Sequence, residues 1–158
     1  MIAIIDYGMG NLRSVQKALE KVGATAQITQ DSDVIQKADK VVLPGVGAMQ
    51  PAMEKLTELD LIPAIQSVVK LGKPFFGICL GFQLLFESST ERGKTEGLGI
   101  LKGRVERFSE LKIQQIGWNQ LHIKNGSPIL KNINESANVY CCHSYFVIPS
   151  DSDVVAAT

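Results

Sequence analysis

The stretch of this sequence best equipped for covalent chemistry is Gly77-Ile78-Cys79-Leu80-Gly81, a single cysteine set between two glycines. It stands where the apolar run 74–78 gives way to a second apolar stretch, 82–87. The first, introduced by Gly72 and Pro74, reads as a buried parallel strand, and the second as a helix packed against a sheet. A thiol on the turn between them has the placement of a nucleophile elbow. Glycines flank the nucleophile there because the turn is strained and crowded, and the side chain is lifted clear of the strand ends. The orphan N–H groups of a following helix favour thiolate over thiol, so Cys79 is expected to outdo a free cysteine as a nucleophile. A cysteine in apolar surroundings is more often a small core residue than a catalyst. Two glycines at this spacing, with a strand before and a helix after, weigh against that reading.

Attack by such a thiol on a carboxamide makes a tetrahedral oxyanion, and each aligned N–H donor lowers that barrier by roughly 3 kcal/mol at most. Pro44-Gly45-Val46-Gly47-Ala48 follows an apolar strand and is well placed to present such donors. Taken alone it reads as an ordinary turn; beside the elbow it reads as part of a site.

The elements that must hold these residues follow from periodicity. Residues 1–6 form a β-branched apolar strand ending in the loop Asp6-Tyr7-Gly8-Met9-Gly10-Asn11. Leu12, Val15, Ala18, Leu19 and Val22 then fall at helical spacing, with Gly23 as the stop. Residues 24–29 and 38–43 read as the second and third strands, and 51–71 carries helical spacing broken at Leu59-Asp60 and Pro63. This rhythm predicts a doubly wound α/β fold with a mostly parallel sheet. The glycine loop is not a dinucleotide fingerprint, because GxGxxG needs glycine where Arg13 stands. It remains a loop at the carboxyl edge of the sheet, where such folds place their sites. Asp6 and Asn11 are then either structural turn residues or groups that face a partner.

Residues 88–97 are polar and loop-like, and strand-like stretches follow at 101–108, 113–123 and 139–148. They are separated by Asn125-Gly126-Ser127-Pro128 and by the polar segment 131–138. Without full-length helical crossovers, this C-terminal part is expected to pair in antiparallel or mixed fashion. Cys141-Cys142-His143 is not expected to hold a metal, since adjacent strand residues point to opposite faces and no second ligand pair is spaced to join them. No cofactor is implied.

Composition excludes several classes. The 158 residues are 45% hydrophobic, enough for one globular domain with a sizeable core. Sixteen basic and sixteen acidic residues cancel, and no basic cluster interleaved with aromatics points to nucleic acid. No apolar run is long enough to span a bilayer, and the N-terminus lacks the basic flank and cleavage site of a signal peptide. Three cysteines, two of them adjacent, make no disulfide framework, so a cytoplasmic location is expected.

Asp6-Tyr7-Gly8-Met9-Gly10-Asn11, Pro44-Gly45-Val46-Gly47, Gly77-Ile78-Cys79-Leu80-Gly81-Phe82-Gln83, Gly117-Trp118-Asn119 and His143-Ser144-Tyr145 occur in that order. In this the whole chain resembles the class I glutamine amidotransferases, and within them the branch serving histidine biosynthesis. The resemblance implies a flavodoxin-like sheet and a glutaminase in which Cys79 attacks the side-chain amide of glutamine. The N–H groups of Val46 and Leu80 would form the oxyanion hole, and Gly45, Gly47, Gln83, His143, Ser144 and Tyr145 would hold the substrate. Asn11 and Trp118 would face a cyclase subunit, a (β/α)8 barrel that takes the ammonia within a heterodimer. The family's triad histidine and glutamate lie in a His-Pro-Glu segment that does not occur in these 158 residues. By the resemblance this is a single amidotransferase domain lacking its C-terminal segment and impaired in turnover. The alternatives are a paralogous subunit for sugar amination in surface polysaccharide, or a partner-binding remnant without catalysis. A milder departure is Gln114-Gln115, where the family usually has proline and histidine.

Overall fold

The computed structural model describes residues 1–109, 114–124 and 126–158. The expected alternation runs through β1 (Ile2–Ile5), α1 (Leu12–Lys21), β2 (Ala26–Thr29), α2 (Ser32–Lys37), β3 (Lys40–Leu43), α3 (Met49–Glu58), α4 (Ile62–Lys70) and β4 (Phe75–Gly77). The strands lie side by side in the order β2-β1-β3-β4, and every neighbouring pair is parallel. A parallel sheet is covered on both faces, which is why the successive residues Ala3, Ile4 and Ile5 are all fully buried instead of alternating. α1 packs on β1 and β2, and α2 on α4 and β1. The run 51–71 divides at the expected place, where Asp60 takes φ +51°. Pro63 is no break; it sits in the first turn of α4, where its missing N–H costs nothing. α2 has no apolar periodicity to announce it. Its start is set by Asp31, whose carboxylate accepts from the N–H groups of Asp33 and Val34.

Beyond the elbow the chain departs from expectation. α5 (Leu80–Gln83) is a single turn, and the rest of the predicted helix 82–87 runs into β5 (Phe86–Ser89). Leu84, Leu85 and Phe86 are all buried, so this run has no face to turn toward water. The carbonyls of Leu84 and Leu85 accept from Leu98 and Leu101 instead. A short apolar run carries no period that separates a buried helix from a buried strand. The expected loop 88–97 is partly a hairpin, because β6 (Thr95–Glu96) returns antiparallel to β5.

β7 (Leu101–Arg107) pairs parallel with β5 and antiparallel with β10 (Tyr145–Pro149). β8 (Gln115–Gln120) and β9 (Asn138–His143) form a separate antiparallel ribbon. The pairing of this half is therefore mixed, as expected. The stretch 139–148 is two strands in different sheets, however, broken at Ser144. β8 falls within the strand expected at 113–123; Ile113 and the turn residue Asn125 lie outside the described residues. One apolar cluster joins Ile5 and Leu43 of the parallel sheet and Leu56 and Ile65 of α3 and α4 to Leu84, Phe86 and Val105 beyond the elbow. Among the described residues no helix is long and apolar enough to cross a membrane.

Candidate active site

Cys79 occupies the N-cap of α5 with φ +54° and ψ −114°, a conformation that side chains other than glycine's rarely adopt. Such strain costs of order 1–3 kcal/mol and persists only where the surroundings over-determine it. Here they do. Ile78 N–H donates to the Leu43 carbonyl at 3.0 Å, tying the end of β4 to β3. On the far side of the turn, Phe82 and Gln83 N–H both donate to the Cys79 carbonyl, at 3.0 and 3.1 Å. The flanking glycines are steric necessities. A Cβ on Gly81 would stand 1.8 Å from the Leu43 carbonyl oxygen, and one on Gly77 would stand 2.6 Å from the Phe82 Cα. The elbow expected from GxCxG is thus present, but its helix is one turn long.

The Cys79 side chain is exposed and opens on a cavity of about 390 Å³, within the range of small-molecule sites. Val46 and Gly47 of the loop after β3, Leu80 and Gln83 of α5, and His143, Ser144 and Tyr145 line it. Among the described residues no hydrogen bond occupies the N–H of Val46 or of Leu80, the first residue of α5. Gln83 Nε2 donates to the Tyr145 carbonyl at 3.3 Å, and His143 Nδ1 lies 2.8 Å from the same oxygen. A carbonyl can only accept, so Nδ1 carries a proton in that contact. The His143 ring is further held by Phe108, with centroids 5.3 Å apart. The break at Ser144 is what turns His143 and Tyr145 toward the thiol from two different sheets.

Three expected residues lie outside the cavity: Asn11, Trp118 and Gly45. Asn11 is exposed and caps α1 by accepting from Ser14 N–H at 3.3 Å, while Asp6 accepts from Gly8 N–H in a tight turn. Trp118 is 70% exposed on the β8–β9 ribbon, edge-on to Tyr140 at 5.5 Å, with exposed Ile116 two positions away on the same strand face. Gly45 does not line the cavity; it is buried beneath the loop. His122 pairs with Glu135 at 3.6 Å, away from the cavity. Cys141 is half-buried and Cys142 exposed, as alternation along β9 requires, and among the described residues no cluster of three potential metal ligands forms.

Sequence reasoning missed Glu91. Its carboxylate lines the cavity and accepts from Met49 N–H at 3.0 Å, supplying α3 with the cap that Ala48 cannot. Glu91 and Met49 are 42 positions apart, and nothing local in the polar segment 88–97 marks the residue. Tyr7 was missed as well. It is fully buried, and its hydroxyl donates to the Pro44 carbonyl at 2.8 Å. Burial, and after it the charge of Cys79, push its phenol above the ordinary value of 10.0.

A family model described as glutamine amidotransferase class-I matches residues 3–158. A curated relative from Syntrophotalea carbinolica, imidazole glycerol phosphate synthase subunit HisH, is 51% identical over 166 aligned positions, covering 100% of this chain and 81% of the relative. The subunit of the same name from Thermosynechococcus vestitus is 53% identical, covering 99% of this chain and 77% of its own length. A solved structure described as a glutamine amidotransferase superposes with a TM-score of 0.78 at 17% identity, covering 99% of this chain and 79% of that one. At that identity the likeness shows the fold.

Proposed function

Because this chain belongs to the class I glutamine amidotransferase family, we propose that it is the glutaminase subunit of an imidazole glycerol phosphate synthase, working in histidine biosynthesis. Its relatives of about 50% identity bear that name. The observation that carries the reading is the strained Cys79 opening on a cavity flanked by two unoccupied N–H groups.

In this reading the Cys79 Sγ attacks the side-chain carbonyl carbon of glutamine. The oxygen gains charge as the C–S bond forms, and the N–H groups of Val46 and Leu80 receive it. The proton the thiol gives up passes to the amide nitrogen, and collapse breaks the C–N bond, releasing ammonia and leaving a glutamyl thioester. Water then cleaves the thioester, giving glutamate and restoring the thiol. Substrate contacts are assigned to Gly47, Gln83, His143, Ser144 and Tyr145, with Gly45 acting from beneath by shaping the loop. Glu91 supplies the negative charge that the α-ammonium of glutamine requires. The partner is a cyclase subunit with a (β/α)8 barrel, docking against Asn11 and the exposed ribbon face of Ile116, Trp118 and Tyr140. Aromatic side chains exposed in this way are frequent anchors of interfaces. The subunit works as one amidotransferase domain in the cytoplasm.

The test is glutamate release by the complex of the cyclase subunit with this sequence extended by the His-Pro-Glu segment that the family resemblance calls for. Cys79→Ala is expected to lower it by about a thousandfold or more while the complex still assembles. Equal release from the variant, or none from the wild-type complex, would overturn the assignment; the second result would favour a partner-binding role.

A further inference from the structure

Tyr7 is the second residue beyond β1 and its side chain is fully buried, yet the reaction gives it nothing to do. Its hydroxyl reaches under the loop that carries Val46. There it donates to the carbonyl of Pro44, a buried residue with no N–H of its own. Directly above lies Gly45, held so closely that an added Cβ would stand 2.4 Å from the Tyr7 oxygen, 2.9 Å from Gly81 N and 3.0 Å from the Leu80 Cβ. The loop is therefore clamped between the phenol on one side and the elbow on the other. Beyond the clamp it loosens: Val46 is 56% exposed, and Gly47 is exposed and takes φ +101°.

We infer that Tyr7 is a positioning residue for the oxyanion hole, its hydroxyl holding the Pro44–Gly45 peptide so that the Val46 N–H is presented toward the Cys79 thiol. The Pro44 carbonyl and the Gly45 N–H belong to one rigid peptide plane, so a bond to the first fixes the direction of the second. With Gly45 wedged against the elbow, the next plane, which carries the Val46 N–H, has little freedom left. Because its ionisation is pushed upward, the phenol stays a donor through the working pH range. The inference rests on the glutaminase reading and adds to it a residue that touches neither substrate nor thiol in the reaction.

The test separates chemistry that needs the oxyanion hole from chemistry that does not. A chloroketone analogue of glutamine reacts with Cys79 by first adding the thiolate to its carbonyl, which places an oxyanion in the hole. Iodoacetamide alkylates the same thiol by direct displacement, with no oxyanion. With the chain assembled on its cyclase partner, Tyr7→Phe is expected to slow the maximal chloroketone rate at least about tenfold, the scale of a misplaced oxyanion donor. Half-saturation by the chloroketone and the rate with iodoacetamide should stay close to wild type. Placing 4-aminophenylalanine at position 7 restores a donor and should recover the rate. Placing 4-fluorophenylalanine there fills the space of the hydroxyl without donating, and should behave as Tyr7→Phe even if the smaller residue disturbs folding. Equal chloroketone rates in wild type and both non-donating variants would overturn the inference alone. Parallel loss of both reactions would make Tyr7 a packing residue and overturn it too. A wild-type Cys79 that ignores the chloroketone but takes iodoacetamide would overturn the glutaminase reading beneath it.

Discussion

At the scale of single residues, the thiol was legible because everything that marks it is local. Gly77 and Gly81 stand within two positions of Cys79, and each is required by a contact that a Cβ would violate. Tyr7 and Glu91 were not legible, because each works through a partner 37 or 42 positions away. One substitution can separate the cap that Glu91 gives α3 from the substrate contact proposed for it. Glu91→Gln keeps an oxygen that can accept from Met49 N–H and so keeps the cap on α3, but it removes the charge offered to the substrate ammonium. KM for glutamine should rise roughly tenfold, equivalent to about 1.4 kcal/mol, with kcat little changed. Steady-state kinetics of the complex would show it, and an unaltered KM would take Glu91 out of substrate binding.

At the scale of elements, the four parallel strands were readable from alternation with helices, and the mixed pairing of the C-terminal half from the lack of helical crossovers, while residues 82–87 were not. The physical source is that Leu84, Leu85 and Phe86 are buried in succession, which leaves no period to separate a buried helix from a buried strand. The break at Ser144 was hidden for a different reason: residues 139–148 are suited to strands throughout and only pairing partners divide them. The loop after β3 behaves differently, because its freedom is conformational. Gly47 takes φ +101°, and a Cβ there would stand 3.1 Å from the Met9 Cε. Gly47→Val should force the exposed loop to relax away from this geometry, withdrawing the Val46 N–H. We expect kcat for glutamine to fall by about tenfold to hundredfold, with the thermal midpoint within a few degrees of wild type. Unchanged turnover would remove the loop from the mechanism.

At the scale of the whole molecule, the buried Tyr7 phenol links stability to alkaline pH. Its ionisation is raised in the folded chain, first by burial and then by Cys79, above the ordinary 10.0 that it regains on unfolding. Its contribution is therefore complete below pH 10 and is lost as pH rises past that value, because only the unfolded chain releases the proton. The loss approaches about 1.4 kcal/mol per pH unit for this single group. Urea midpoints measured between neutral and strongly alkaline pH should fall more steeply for wild type than for Tyr7→Phe; parallel curves would contradict the burial of the phenol. The strained backbone at Cys79 bears on the molecule's history as well as its chemistry. At φ +54° and ψ −114°, a glycine at position 79 would release much of the strain that a thiol-bearing residue imposes. Folding and catalysis thus pull this position toward different amino acids. A lineage with no further use for the thiol would gain stability by surrendering it, so among descendants of this chain glycine at 79 should mark a retired enzyme and cysteine one still under selection for its reaction.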